Sequence, residues 1–310
     1  MIDNKDFFII DTYFHIYRSF FSIKKELSVV LNDKRFCTNA IFGFLRFIIF
    51  LNKKYNPKYG VFVFDSGKSK DRIKLLPQYK SNRPPMPEEL YDQIEPIKNI
   101  IKYFGWKLIE KNEYEADDII ATLTNNFNNN VNIKIFSNDK DLFQLINNNT
   151  SVFITSNTKS DDFFKKQNLE DFKNKYEIFP IQIIDLLALT GDIADNINGV
   201  NGIGPKIATK LIKEYHSIEN IFNNLEHIND LNIQKKLKDN KNIIFRNKKI
   251  ITLNKSVDDI VYDKDINNFE IKSTNFNEIH SLCNLYKLNK ITKQINNFNL
   301  SNNLIQKYLF

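Results

Sequence analysis

Tyr59-Gly60-Val61-Phe62-Val63-Phe64-Asp65 is the stretch whose reading decides the fold. Six uncharged residues, rich in valine and aromatic side chains, end on a carboxylate. Such a continuous apolar run reads as a strand covered on both faces, as in a parallel sheet. Working outward, the pattern recurs upstream at Phe7-Phe8-Ile9-Ile10-Asp11. Downstream, Val131-Asn132-Ile133-Lys134-Ile135-Phe136 runs through Ser137-Asn138 into Asp139-Lys140-Asp141. Between the strands, residues 14–22 and 40–52 carry helical periodicity, with Phe44, Phe47, Ile48 and Leu51 on one stripe. The alternation predicts an α/β fold, a parallel sheet joined by right-handed crossovers. In open sheets of this kind the working crevice lies beyond the carboxyl ends of the strands. Here three strands each deliver an aspartate to that edge.

A second acidic stretch, Glu115-Ala116-Asp117-Asp118, opens a helix through Ile119-Ile120-Ala121-Thr122-Leu123. At 3.6 residues per turn Glu115 and Asp118 share a face and Asp117 flanks them. Taken alone, an acidic first turn complements the helix dipole. Like charges this close are otherwise tolerated when cations lie between them, and the three strand-end aspartates favour that reading. A further helix, Ile183–Leu189, ends near Thr190-Gly191 and is followed by Asp192 and Asp195. The candidate ligands are therefore Asp11, Asp65, Glu115, Asp117, Asp118, Asp139, Asp141, Asp192 and Asp195. Hard oxygen donors without clustered His or Cys select Mg²⁺ or Mn²⁺ over zinc. The set is too large for one ion and points to two or more, as in phosphodiester hydrolysis.

The chain has 310 residues, 42% of them hydrophobic, enough for one large core or two smaller ones. No apolar run approaches the roughly 18 residues that span a bilayer, and the N-terminus lacks the basic flank of a secretion signal. No membrane role is expected. Cys37 and Cys283 are too few for a disulfide scaffold, which suits a reducing cytoplasm. The formal charge of +7 and a pI near 9.0 favour a polyanionic partner. An acidic pit in a basic body is what a nuclease needs.

Two basic stretches support that expectation. In Gly199-Val200-Asn201-Gly202-Ile203-Gly204-Pro205-Lys206, a tight glycine turn leads into a helix at Pro205. Backbone N–H groups at such a turn make a phosphate site, and Lys206, Lys210 and Lys213 share the next helix face. This is the helix-hairpin-helix pattern, which binds duplex backbone without reading sequence; a plain helix connection with solvated lysines is the alternative. Residues 67–107 interleave Lys70, Arg72, Lys74, Lys80, Arg83 and Lys98 with Tyr79, Tyr91 and Tyr103. Cations mixed with aromatics suit single-stranded nucleic acid, although a solvated insertion reads the same way.

The motifs IIDTYFHIYRSF at 9–20, FVFDSGKSKDR at 62–72, QYKSNRPPMP at 78–87, EADD at 115–118, SNDKDL at 137–142 and LTGDIADNINGVNGIGPKIA at 189–208 occur together and in order. By them the chain resembles the flap endonuclease family of 5′-nucleases, and is similar to the N-terminal 5′-3′ exonuclease domain of bacterial DNA polymerase I. The resemblance implies a PIN-like parallel-sheet nuclease core over residues 1–180, with a helical arch at about 67–107. A helical domain containing the helix-hairpin-helix follows over 181–290, then a C-terminal tail, 291–310. It implies that all nine acids serve the metal site, that Lys80 and Arg83 are arch cations on the scissile phosphate, and that Arg18 is a basic residue beside it. Tyr79 becomes an arch aromatic, and Tyr79, Gly199, Gly202, Gly204, Lys206 and Lys210 become nucleic-acid contacts. The implied cofactors are two or more Mg²⁺ or Mn²⁺ ions and a K⁺ ion at the helix-hairpin-helix. The implied substrates are DNA with 5′ flaps, nicks or 5′ ends, and RNA primers.

The expected function is structure-specific 5′-3′ exonuclease and flap endonuclease activity in replication and repair, by a monomer. Nothing after about residue 290 could form a polymerase, so any polymerase would act in trans. A PIN-type ribonuclease, or a non-catalytic module that binds branched DNA, are the rival expectations.

Overall fold

The structure of the protein, a computed structural model, describes residues 5–67, 69–128, 131–156, 163–260 and 263–308, with side chains described up to residue 299. It divides into two compact units that cut across the linear order. The first takes Met1–Phe64, Pro85–Glu110 and Asp265–Phe310; the second takes Asp65–Pro84 and Lys111–Lys264.

In the first unit, β1 (Asp6–Asp11) is followed by a hairpin of β2 (Ser28–Leu31) and β3 (Lys34–Cys37), then by β4 (Tyr59–Phe64) and β5 (Lys107–Glu110). β1 and β4 pair in parallel with Ile10 opposite Phe62, and β4 pairs in parallel with β5. Both predicted strands are buried along almost their whole length, as an uninterrupted apolar run requires. Helices Thr12–Phe21 and Asn39–Tyr55 cover them, and the Phe44 and Phe62 rings meet at 5.6 Å. The last helix, Asn289–Tyr308, buries Ile291, Ile295 and Phe298, so the stretch read as a tail begins as a docked helix.

In the second unit, β6 (Asn132–Phe136) pairs in parallel with β7 (Thr150–Thr155), and β7 pairs antiparallel with β8 (Phe164–Gln167). The acidic helix is Ala116–Phe127, with Glu115 extended at its N-cap position. Helix Ile183–Thr190 leads into a two-residue ladder, β9 (Gly191–Asp192) with β10 (Ile197–Asn198), and then into helix Pro205–Tyr215. Two further helices follow, Leu231–Asp239 and Lys241–Ile251, separated at Asn240. Asparagine competes for backbone hydrogen bonds and interrupts helices readily. The fully buried Asn247 donates from Nδ2 to the carbonyls of Ala188 (3.2 Å) and Asn198 (2.8 Å), tying the second of these helices to the hairpin. Among the described residues, no helix is long and apolar enough to cross a membrane.

Candidate metal and nucleic-acid site

Asp11 is the last residue of β1 and is buried at the start of helix Thr12–Phe21, in the first unit. Arg18 lies on that helix, where burial lowers its guanidinium pKa. The other eight candidate acids, with Tyr79, Lys80 and Arg83, all belong to the second unit.

Some of these acids are saturated with donors. Glu115 Oε2 accepts from Arg72 Nη1 (3.0 Å), Tyr79 Oη (3.1 Å) and Lys80 Nζ (2.9 Å), and its Oε1 accepts from the Ser69 N–H (3.3 Å). Burial pushes this carboxyl up, but Lys80 and Arg72 outweigh it and hold Glu115 below the usual carboxylate range. Asp118 is forked by Arg72, Nη1 to Oδ2 and Nη2 to Oδ1, both at 2.7 Å. Its Oδ1 also accepts from the Asn254 N–H at 2.9 Å. Asp195 takes Arg83 Nη2 on Oδ1 (2.6 Å) and the Tyr79 hydroxyl on Oδ2 (3.0 Å), with Lys80 at 3.8 Å. Asp65 accepts the first free N–H of the acidic helix, that of Ala116, at 2.8 Å. Burial nevertheless raises its pKa. Half-buried Asp117 adds its field to Lys80 and Tyr79.

Other acids are starved. Asp139 Oδ1 accepts from the Asp141 N–H (2.9 Å), but the buried Oδ1 of Asp141 has no hydrogen-bond partner. Burial first, then the fields of Asp139, Asp195 and Asp192, push the Asp141 carboxyl well above its ordinary value. Asp139 rises chiefly by burial, with Asp195 and Asp192 adding to it. A buried carboxylate with one oxygen kept from every donor, in the field of three other acids, is disfavoured as an anion unless a cation arrives. The hairpin supplies the other two: Asp192 Oδ1 accepts from the Ala194 N–H at 2.8 Å. Among the described residues no three His, Cys, Asp or Glu side chains are gathered closely enough to grip an ion as they stand. The orphaned Asp141 oxygen among hard oxygen donors nevertheless fits a divalent cation.

The cations reach the acids through a stitched loop. The Lys80 N–H donates to the Asp195 carbonyl (3.0 Å), with Lys80 itself at a φ of 52°. Asn82 Nδ2 donates to the Ile193 carbonyl (2.8 Å), and Asn196 Nδ2 donates to the Gln78 carbonyl (2.9 Å) and Ser81 Oγ (3.1 Å). Residues 78–83 and 193–196 are therefore tied together by these four hydrogen bonds. Tyr79, expected as an arch aromatic in contact with nucleic acid, is buried here, only 3% exposed. Its hydroxyl bridges Glu115 and Asp195 instead, and burial together with those two acids raises its pKa, keeping the proton on.

The glycine turn sorts into different tasks. Gly199 lies where a Cβ would fall 2.1 Å from the Thr190 backbone, so it serves hairpin packing. Gly202 has a φ of 79°, which side chains rarely adopt. Gly204 faces open space ahead of helix Pro205–Tyr215, leaving its backbone approachable. Lys206 and Lys210 are exposed on that helix, whereas Lys213 is paired with Glu177 at 2.6 Å. An open groove of about 1040 Å³ runs from Lys206 and Lys210 past Lys140 and Lys175 to Asp192.

The sequence grouped Arg72 with the cations of 67–107 that suit single-stranded nucleic acid or a solvated insertion; it is 6% exposed and serves two acids. The available signal was its type. It is an arginine among lysines, and only a guanidinium can fork a carboxylate.

A family model described as the 5′-3′ exonuclease N-terminal resolvase-like domain matches residues 6–177, and one described as the 5′-3′ exonuclease C-terminal SAM fold matches 178–277. The chain is 42% identical to a 5′-3′ exonuclease of Aquifex aeolicus over 223 residues, which is 72% of this chain and 74% of that one. It is 35% identical to DNA polymerase I of Caldicellulosiruptor bescii over 282 residues, 90% of this chain but 32% of that relative. Among solved structures, a bacteriophage T5 flap endonuclease in a pseudo-enzyme-product complex with DNA and metal ions superposes with a TM-score of 0.67. It covers 91% of this chain and 100% of its own at 21% identity, a likeness of fold.

Proposed function

The chain belongs to the 5′-3′ exonuclease family, and from that premise we propose that it is a divalent-metal-dependent, structure-specific 5′-nuclease of DNA. The observation that carries this is the starved Asp141 oxygen amid Asp139, Asp192 and Asp195, in the same unit as the cationic loop of Lys80 and Arg83. Asp65, Glu115, Asp117, Asp139, Asp141, Asp192 and Asp195, all in the second unit, would hold the ions. Bound there, divalent cations would lower the pKa of an attacking water and offset the charge that builds on a phosphodiester in displacement.

The protein's own groups do the rest. Lys80 and Arg83, which here neutralise Glu115 and Asp195, become available to a substrate phosphate once those carboxylates are neutralised otherwise. Lys80 keeps its charge, because Glu115, Asp195 and Asp117 together outweigh the lowering by burial. The open backbone at Gly204 and the lysines at 206 and 210 would hold a duplex phosphate away from the site. A T5 flap endonuclease of the same fold is described in complex with DNA and metal ions, in keeping with ligands of these kinds. The finer parts of the proposal are Mg²⁺ or Mn²⁺ as the ions, a K⁺ ion at the 199–204 turn, and 5′ flaps and RNA primers as substrates. They rest on the hard-oxygen donor set and on the form of the turn.

Product mapping on a 5′-labelled flap duplex, with and without Mg²⁺, tests the proposal. Cleavage near the flap junction that needs Mg²⁺ and is lost in Asp139→Asn/Asp141→Asn, with flap binding retained, is the expected result. Cutting of single-stranded RNA but not of the flap would refute it.

A further inference from the structure

We propose that Arg72 is a positioning residue of the carboxylate site, and that Asp118 is the anchor for its guanidinium rather than a ligand for an ion. This rests on the metal-dependent nuclease reading and refines it. Four of the five N–H donors of a guanidinium are in use or shared here. Nε donates to the Ile250 carbonyl at 2.8 Å, Nη1 to Asp118 Oδ2 and Glu115 Oε2, and Nη2 to Asp118 Oδ1. Three elements are thereby joined: helix Lys70–Leu75, which carries Arg72, the acidic helix, and the C-terminal end of helix Lys241–Ile251. The Asn254 N–H on Asp118 Oδ1 adds a fourth segment to the joint.

The geometry separates Asp118 from the starved acids. Both of its oxygens already hold charge-assisted bonds at 2.7 Å, and the residue is 2% exposed. Three of its roughly four lone-pair sites are taken, so an ion would have to compete with a buried guanidinium for this carboxylate. Glu115 is different. Arg72 touches only its Oε2, which it shares with Tyr79 and Lys80, while its Oε1 has only a long bond from the Ser69 N–H at 3.3 Å. Arg72 thus holds one oxygen of Glu115 still and leaves the other able to turn. Lysine could keep the charge at this position but could not fork Asp118 while also reaching Glu115 and Ile250. One arginine therefore fixes the spacing between the acidic helix and the domain that follows.

Two measurements on full-length protein test this. The first is Mn²⁺ binding without DNA, followed by electron paramagnetic resonance. Asp118→Leu/Arg72→Met removes both charges at similar volume. It is expected to bind the same number of ions as wild type, more weakly for want of Arg72, whereas loss of an ion would overturn the assignment of Asp118. The second uses Arg72→Lys, which keeps the charge and folds even if the double variant does not. Its kcat on a 5′ flap should fall about tenfold with KM within about twofold, and its apparent affinity for Mn²⁺ should weaken. A raised KM with unchanged kcat would place Arg72 on DNA instead, and no change in either would deny it any positioning role. Wild-type protein that neither binds Mn²⁺ nor cuts the flap would remove the nuclease reading, and this inference with it; any other failure concerns Arg72 and Asp118 alone.

Discussion

Two sets of carboxylates in the same unit contrast sharply. Glu115 and Asp118 are buried and over-supplied: Arg72, Lys80 and Tyr79 converge on them, and Glu115 lies below its ordinary pKa. Asp141 is buried and Asp139 half-buried, yet one Asp141 oxygen is orphaned and both pKa values are raised. Burial alone therefore does not decide what an acid is for. An acid whose two oxygens are both held by a buried guanidinium, as in Asp118, serves the scaffold, and an acid whose charge is unmatched waits for a cation.

The contrast breaks most visibly in turnover. Asp139→Asn/Asp141→Asn should lower flap cleavage about a thousandfold, the scale of several kcal/mol of lost charge stabilisation. Flap binding measured by fluorescence anisotropy should change little, since the lysines at 206 and 210 are untouched. On the saturated side the large effect is on folding. Arg72→Met strands Asp118 as a buried charge and should cost about 3–5 kcal/mol in denaturant unfolding. Lys80→Ala and Arg83→Ala should each slow cleavage about ten- to a hundredfold through weaker phosphate stabilisation. Single-turnover rates at saturating enzyme would show this.

The smallest effect sharpens the comparison, because its sign reverses between the two sets. In chelator, Asp141→Asn should stabilise the protein by on the order of 1 kcal/mol, since it removes an ionisation that burial opposes. The folded pKa of Asp141 lies above its unfolded value of 3.8, so wild-type stability should fall as pH rises from there through the raised value. The variant should lack that fall. Glu115, with a folded pKa lowered from 4.5, behaves oppositely. Its contribution is complete above about that pH and is lost as pH falls through the lowered value. Glu115→Gln should flatten that acid limb in thermal melts taken at successive pH values.

Much of this was legible in the letters. The runs at 7–11 and 59–65 became strands, the first ending on Asp11 and the second just before Asp65, because a strand covered on both faces buries consecutive apolar side chains. Strands β5, β7 and β8 were not anticipated, since Lys107–Glu110 and Phe164–Gln167 are short and half polar and Thr150 follows an asparagine run. The roles within 67–107 were the least readable. Lys80, Arg72 and Tyr79 look like any basic and aromatic surface stretch, and only the fold shows that each points at an acid far away in sequence. Charge complementarity across 35 to 116 positions leaves no local periodicity to find.

Calorimetric titration of Mn²⁺ into DNA-free protein, wild type beside Asp139→Asn/Asp141→Asn, tests the unmatched acids most directly. The variant should bind at least one ion fewer and, in chelator, melt above wild type. Equal ion number and equal affinity in the two proteins would contradict the claim that these starved carboxylates await a metal.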